Sequence, residues 1–166
     1  MCGINGIMTA SGAPPDRNMV IAMQTALAHR GPDGEGLHFD GSVGMAHRRL
    51  AIIDLETGDQ PLSLVSGVTL IANAEIYNYR ELKADMPDVT FSTASDCELP
   101  LNLYAKHGEN YAEHLRGMYA IAIHDPERRR LVLSRDPFGI KQLYYTEGPF
   151  GFAFASEPQA LIASGL

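Results

Sequence analysis

The sequence predicts an α+β domain in which β-sheets are stacked face to face. Helical stretches lie among about eight strand-like segments, a mixture typical of this class. Residues 118–123 are apolar throughout, and three phenylalanines in residues 150–155 alternate with glycine and alanine. Strands of this kind are buried on both faces, so each sheet must be covered on both sides. The length of 166 residues is enough for one well-packed domain and too short for two.

The N-terminal part of the chain predicts a strand, a helix and a loop. The strand covers residues 3–8 and leaves Cys2 at its exposed start. A helix is expected between Asp16, an N-cap residue, and about His29, because three apolar residues recur at helical spacing. They are Val20, Met23 and Leu27. The glycine-rich segment 30–36 is expected to form a loop.

The middle of the chain predicts more strands and two helices. Strands are expected at 37–40, 42–48, 50–53 and 68–72, and a helix at 77–86. Ser95 and Glu98 have the spacing of a capping box, which predicts a second helix reaching about Lys106. Asp96 then lies in the first turn of this helix. Pro100 falls at about its fifth position, where the missing N–H should loosen the turn.

The last third of the chain predicts mainly strands, at 118–124, 131–135, 142–146 and 150–155. The basic run 128–130 is interpreted as a hairpin turn between the first two, with a phosphate-binding role as the alternative. Arg135, Asp136 and Lys141 are expected to form an internal ion-pair network that anchors a loop.

Charge and composition exclude several classes of partner. The formal net charge of -7 argues against nucleic acid and anionic membranes, which need a basic surface. No segment reaches the roughly eighteen apolar residues of a membrane helix, and no leader sequence begins the chain, so a cytoplasmic location is expected. The two cysteines, Cys2 and Cys97, suit a reducing compartment. The histidines are scattered without metal-ligand spacing, so no metal site is predicted.

Cys2 is the most informative single residue. Removal of Met1, which is favoured when a small residue follows, would leave a thiol and a free α-amine on the same residue. The unperturbed pKa values of these groups are roughly 8.5 and about 8, so the amine can take the thiol proton near neutral pH. A buried structural cysteine is the alternative, because free cysteine is among the most buried residue types.

The rest of the chain carries motifs that favour the nucleophile. In order they are 2–4, 29–36, 47–54, 60–62, 73–79, 95–96, 115–120, 135–141, 143–145 and 156–157. In order and spacing these segments resemble the class II glutamine amidotransferases, which have an N-terminal cysteine. They are most similar to the glutaminase domain of glutamine-hydrolysing asparagine synthetases. The resemblance implies a four-layer αββα sandwich of the N-terminal nucleophile hydrolase type, formed by a single domain of residues 2–166.

The resemblance also implies the reaction and its residues. L-Glutamine would be hydrolysed to glutamate and ammonia through a thioester on Cys2. The side-chain amide of Asn73 and the main-chain N–H of Ala74 would stabilise the oxyanion. Arg49 would bind the α-carboxylate of glutamine and Asp96 its α-ammonium. The other substrate-binding residues implied are Glu75 and the main chain of Leu50, Ala51, Ile52 and Ile53.

Simpler explanations exist for single residues. Asn73 could be a turn residue after a strand, Arg49 a surface arginine, and Asp96 a charge at a helix N-terminus. Ala74 departs from the family, which has glycine there. If the main chain at this position requires positive φ, alanine is strained by about 1–2 kcal/mol.

Two alternative functions remain at this stage. One is another amide or acyl hydrolase with an N-terminal cysteine, which Arg49 and Asp96 disfavour because together they suit a zwitterionic amino acid. The other is a non-hydrolytic pseudo-glutaminase that binds glutamine or scaffolds a synthetase, with Met1 retained and Ala74 in place of glycine.

The expected partners follow from the resemblance. The ammonia-accepting synthetase domain or subunit is absent from this chain, and ATP and Mg²⁺ are expected only there, so this domain needs no cofactor. Neither nucleic acid nor a membrane is an expected partner. A homodimer is left open.

Overall fold

Two antiparallel β-sheets form the centre of the computed structural model, which describes residues 1–166. The strands are β1 (Gly3–Thr9), β2 (Gly34–Asp40), β3 (Val43–Arg49), β4 (Leu62–Ser63), β5 (Thr69–Ile76), β6 (Gly117–Asp125), β7 (Arg130–Arg135), β8 (Tyr144–Gly148) and β9 (Gly151–Ala155). The first sheet has the order β2-β3-β1-β9-β8, and the second has the order β4-β5-β6-β7.

Helices cover the outer face of each sheet. They are α1 (Arg17–Ala26), α2 (Tyr79–Ala84), α3 (Glu98–His107) and α4 (Pro158–Ala163), with 3₁₀ turns at Ala28–Arg30 and Gly108–His114. Asp16 is the N-cap of α1 and accepts a hydrogen bond from the N–H of Asn18, as predicted. The longest helices have ten residues, and none could cross a lipid bilayer.

Three apolar layers hold the helices and sheets together. In β1, Ile4 points between the two sheets, whereas Ile7 packs with Met23 of α1, because successive strand residues face opposite sides. The layer between the sheets also contains Val43, Met45, Ile71, Ala120, Ala122 and Phe154. A third layer packs α3 on the outer face of the second sheet. The order helix, sheet, sheet, helix confirms the four-layer αββα sandwich.

Two of the predicted segments are wrong, one at the start of β2 and one after β3. Residues 34–36 belong to β2 and not to a loop, because they pair with residues 47–49 of β3. Residues 50–53 form no strand. Ile52 and Ile53 are exposed, so the apolar run that suggested a strand is not buried in a sheet.

The predicted capping box is also wrong. The helix begins at Glu98, with Cys97 as N-cap, and Asp96 precedes it. The Glu98 carboxylate accepts hydrogen bonds from the N–H groups of residues 92 and 93, so it cannot cap the helix. Pro100 is consequently the third helical residue, where an N–H has no intrahelical partner, and α3 is continuous to His107.

The predicted ion-pair network after β7 is a set of main-chain hydrogen bonds. The guanidinium of Arg135 donates to the carbonyl oxygens of Gly139 and Lys141. Burial would raise the pKa of Asp136, but its hydrogen bonds from four main-chain N–H groups outweigh burial and lower that pKa. The segment after β7 is therefore anchored as predicted, although no salt bridge joins its three charged residues. The basic run forms the turn between β6 and β7, as predicted.

Candidate active site

The thiol of Cys2 lies at one end of the first sheet, immediately before β1. Its Sγ is 3.4 Å from the main-chain N of Leu50 and 3.7 Å from the carbonyl oxygen of the same residue. Cys2 is half-buried and lines a cleft between the ends of the two sheets. The thiol is thus held beside the chain that leaves β3, and it is not an inert core cysteine.

Arg30 fixes the main chain of Cys2. Its Nε donates to the Cys2 carbonyl oxygen at 3.0 Å, and a terminal nitrogen pairs with Glu157 at 2.5 Å. Burial would raise the pKa of Glu157, but hydrogen bonds from Arg30 and His29 outweigh it and lower that pKa. Both side chains of the Arg30–Glu157 pair are largely buried, which favours a rigid support for the cysteine.

Arg49 is the last residue of β3 and turns into the cleft. Its side chain is only 8% exposed and pairs with Asp59 at 2.8 Å, whereas the Asp59 side chain is 79% exposed. Arg49 also donates to the carbonyl oxygen of Asp54. Arg48 lies on the opposite face of β3 and pairs with Glu35. Arg49 is therefore no ordinary surface arginine, and it organises the loop that follows β3.

Asn73 lies within β5, not in a turn, and is 2% exposed. It has the same strand parity as Ile71, so its side chain points towards the space between the sheets. The amide Nδ2 is buried and donates to no acceptor in the protein. An unpaired buried donor costs about 1–3 kcal/mol, so this amide is suited to an acceptor that a bound molecule supplies.

The main chain of β5 presents a second donor beside Asn73. Antiparallel pairing alternates, and the N–H groups of Ala72, Ala74 and Ile76 point away from β6. The Ala72 N–H donates to Gln60 Oε1 at 2.6 Å, and the Ile76 N–H donates to Asp96 Oδ2 at 2.7 Å. Ala74 lies between them in the wall of the cleft. Its N–H therefore opens into the same space as the Asn73 amide.

Ala74 is not strained. The only residues other than glycine with positive φ are Asp54 and Arg129, so the main chain at Ala74 is extended and accepts an L side chain. The strain considered for alanine at this position is absent.

Asp96 and Glu75 supply negative charge to the cleft. Burial raises the pKa of Asp96, with a smaller contribution from the neighbouring charge of Glu75, while the Ile76 N–H opposes the shift. Asp96 precedes α3 and does not cap it. Its carboxylate instead accepts a hydrogen bond from the Ile76 N–H of β5. The two carboxylates make this side of the cleft suitable for a cation.

Gln60 reaches the site because glycine lets its loop approach the first sheet. A Cβ on Gly36 would lie 1.9 Å from the Gln60 carbonyl oxygen, so any larger residue would displace the loop. His47 provides a further link between the sheets through its Nε2, 3.1 Å from the Ala72 carbonyl oxygen. Burial lowers the pKa of His47 to about 4, so this ring is neutral near pH 7.

The cleft brings together all but one of the predicted site residues. They are Cys2, Arg49, Leu50, Ile52, Ile53, Asn73, Ala74, Glu75 and Asp96. Ala51 is the exception, because it turns away and donates its N–H to Asp33 at 2.9 Å. Sequence reasoning missed Met1, Gly58, Gln60, Ser95, Cys97 and Lys141 as lining residues. Of these, Gln60, Ser95 and Lys141 lay in recognised motifs that could have indicated them.

Cys97 is a second thiol in the wall of the cleft. Burial, and then the neighbouring Asp96, raise the pKa of Cys97 well above its usual value. Cys97 therefore stays protonated near neutral pH, which leaves Cys2 as the reactive thiol.

The four-layer αββα sandwich, with a cysteine immediately before β1, has the fold type of the N-terminal nucleophile hydrolases. The chain belongs to the family of glutamine amidotransferase domains, whose model it matches over residues 1–166. It is 42% identical to glutamine-hydrolysing asparagine synthetase 2 of Bacillus subtilis (strain 168), covering 98% of this chain and 22% of that protein. It is 40% identical to glutamine-hydrolysing asparagine synthetase 2 of Oryza sativa subsp. japonica, covering 97% of this chain and 28% of that protein. The chain thus spans less than a third of the length of these relatives.

A solved structure supports the fold independently. The glutamine phosphoribosylpyrophosphate amidotransferase from B. subtilis, complexed with ADP and GMP, superposes with a TM-score of 0.81. The match covers 99% of this chain and 44% of that one, at 22% sequence identity. The likeness therefore extends over the whole sandwich.

Proposed function

We propose that this domain hydrolyses L-glutamine to glutamate and ammonia. One observation carries the proposal: the buried Asn73 amide has no acceptor in the protein and lies in the same cleft as the Cys2 thiol. The adjacent Ala74 N–H is a second donor, and two convergent donors are what an oxyanion requires. Family membership and the asparagine synthetase relatives favour hydrolysis over a purely binding module.

The chemistry would proceed in two stages. The Cys2 thiolate attacks the side-chain carbonyl carbon of glutamine, and the carbonyl oxygen becomes an oxyanion that Asn73 and Ala74 stabilise. Proton transfer to nitrogen then lets ammonia leave and a thioester form. Water attacks the thioester, releasing glutamate and the thiol. The base in this scheme is the α-amine of Cys2, which is free only after Met1 is removed.

The head group of glutamine would bind through charge. Arg49 would take the α-carboxylate, and Asp96 with Glu75 the α-ammonium. Arg49 already pairs with Asp59, but the Asp59 side chain is 79% exposed, so water can solvate its carboxylate when the pair opens. A substrate carboxylate can therefore replace Asp59 at little cost, and the guanidinium can hold it with two parallel hydrogen bonds.

The ammonia would serve an asparagine-synthetase-like amidation. The relatives that support this step are named as glutamine-hydrolysing asparagine synthetases, and they are more than three times as long as this chain. The additional length would hold the ammonia-accepting partner domain, which would use ATP and Mg²⁺. No cofactor is proposed for the hydrolytic step, because after removal of Met1 the nucleophile, the base and the oxyanion donors would all come from the chain itself.

The direct test combines N-terminal mass determination with a glutaminase assay. Protein whose mass lacks Met1 is expected to release glutamate and ammonia in equal amounts from glutamine. Protein that retains Met1 is expected to be inactive, because its α-amine is in a peptide bond. Processed protein with no activity on glutamine would reject the proposal.

Conservative substitutions can separate binding from chemistry. Arg49→Lys and Asp96→Asn are expected to raise KM by about 10- to 100-fold with little change in kcat, because charged hydrogen bonds contribute about 1.5–3 kcal/mol in both ground and transition states. Asparagine at residue 96 keeps an acceptor for the Ile76 N–H. Asp59→Asn is the matched control and should leave KM unchanged or lower it, because it frees Arg49. A fall in kcat alone for either test variant would contradict these assignments.

A further inference from the structure

A second cluster of chemically active side chains lies outside the cleft and consists of His38, Asp40 and His124. His38 Nε2 is 3.0 Å from His124 Nδ1. One nitrogen from each ring and a carboxylate oxygen of Asp40 all lie within 4.8 Å of one another. None of the three residues lines the cleft that contains Cys2.

Strand parity explains why these residues meet. His38 of β2 pairs with Met45, whose side chain belongs to the layer between the sheets. His124 of β6 has the parity of Ala122, which belongs to the same layer. The two rings therefore enter the space between the sheets from opposite sides. Asp40 lies two residues after His38, so its side chain leaves the same face of β2.

We propose that this cluster is a binding site for a divalent transition metal ion, with Zn²⁺ as the best fit. Two imidazole nitrogens and one carboxylate oxygen are donors that Zn²⁺ prefers. With Zn–N bonds of about 2.0–2.1 Å, tetrahedral geometry needs a nitrogen separation of about 3.3 Å. The two nitrogens now share a hydrogen bond, so the rings would have to part by about 0.3 Å and turn until both nitrogens face the ion.

The surroundings leave access for an ion and a fourth ligand. Asp40 is exposed, and it lines a surface opening together with His124, Ser42 and Arg129. The carboxylate of Asp40 takes part in no ion pair, so it is available to an ion. A water molecule can reach the fourth position through this opening. Asp125 is not a ligand, because its carboxylate is held by Tyr104 and Arg128.

The position of the cluster assigns the metal a structural task. His124 is four residues along β6 from Ala120, which pairs with Asn73, so it lies about 13 Å from the oxyanion donors. At that distance the ion cannot contact the substrate. It would join β2 of the first sheet to β6 of the second, and a ligand that binds only the folded state stabilises that state.

The test is Zn²⁺ titration of the full chain, without an affinity tag, by calorimetry. One equivalent is expected to bind, and His38→Gln or His124→Gln is expected to weaken binding at least tenfold. The matched control is the double variant His107→Gln, His114→Gln, which removes a second pair of neighbouring histidines with ring centroids 4.1 Å apart. This control should bind Zn²⁺ as the wild type does. Equal affinity of all variants would overturn the proposal.

Two further measurements protect the test against misfolding and against binding by cysteine. Asp40→Asn changes only an exposed side chain and is expected to weaken Zn²⁺ binding severalfold. The rise in Tm that Zn²⁺ gives the wild type should be mostly lost in this variant. Co²⁺ bound at the site should show visible d–d bands without a sulphur-to-cobalt charge-transfer band. A charge-transfer band that disappears when Cys2 is alkylated would place the metal at the thiol and reject the site. An unchanged rise in Tm for Asp40→Asn would equally count against it.

Discussion

Cys2→Ala is expected to abolish glutamine hydrolysis, with a fall in kcat of at least about a thousandfold. Loss of a nucleophile removes the covalent route entirely, and what remains is the smaller contribution of substrate binding and oxyanion stabilisation. The measurement is glutamate release by protein whose N-terminal mass has been determined. A glutamine-like diazo-ketone should add one label to the wild type, at Cys2, and none to the variant.

Cys97→Ala is the matched control for this experiment. Cys97 is the only other thiol, it lines the same cleft, and burial keeps its pKa high. Its loss should cost some stability through a small cavity in the layer around α3, while glutamate release continues. Turnover by Cys2→Ala comparable to the wild type, or labelling at Cys97, would overturn the assignment of the nucleophile.

Asn73→Ala is expected to lower kcat by about 10²–10³-fold while KM changes little. The loss corresponds to about 2.7–4 kcal/mol, as for removal of one oxyanion donor in other hydrolases. The same substitution should leave Tm unchanged or slightly raised, because Nδ2 has no hydrogen bond in the protein to lose. Steady-state kinetics and thermal unfolding of one preparation measure both effects.

Asn5 offers the opposite case within the same fold. It is fully buried, and its Nδ2 donates to the Val20 carbonyl oxygen at 3.1 Å. Asn5→Ala should therefore lower Tm by breaking the tie between β1 and α1, with kcat per folded molecule retained. If Asn73→Ala instead lost stability like Asn5→Ala and kept its kcat, Asn73 would be a structural residue.

Local alternation was sufficient to predict sheets stacked face to face, whereas the four-layer order was implied only by the family resemblance. In residues 153–155 the large Phe154 side chain alternates with two alanines. The structure places Phe154 in the layer between the two sheets and the alanines in the layer against the helices. The same logic failed for residues 50–53. That run is apolar, but what fixes it is the contact of Leu50 with the Cys2 thiol and the bonds of Arg49 to the following carbonyls, which no periodicity reveals.

Side-chain contacts that no spacing rule describes were the main source of error. Glu98 has the spacing of a capping residue, yet its carboxylate is used by residues 92 and 93, and the helix starts later than predicted. The histidine cluster could not be predicted, because His38 and His124 are 86 residues apart and meet only when the two sheets stack. The site residues, in contrast, were predicted from the motifs shared with the family. Such motifs reflect which residues meet in the folded protein, although they do not show how.

The short β4 leaves most of one edge of β5 without a partner strand. This strand pairs only with the first two residues of β5, so the remaining length of β5 has a bare edge that could recruit a strand from another molecule. Gln60 and Asp96 occupy two of the three outward N–H groups and thereby block such recruitment. The third, at Ala74, stays open to the cleft and is the donor that the proposed oxyanion would use. The proposed oxyanion site and the protection against added strands thus share one strand edge.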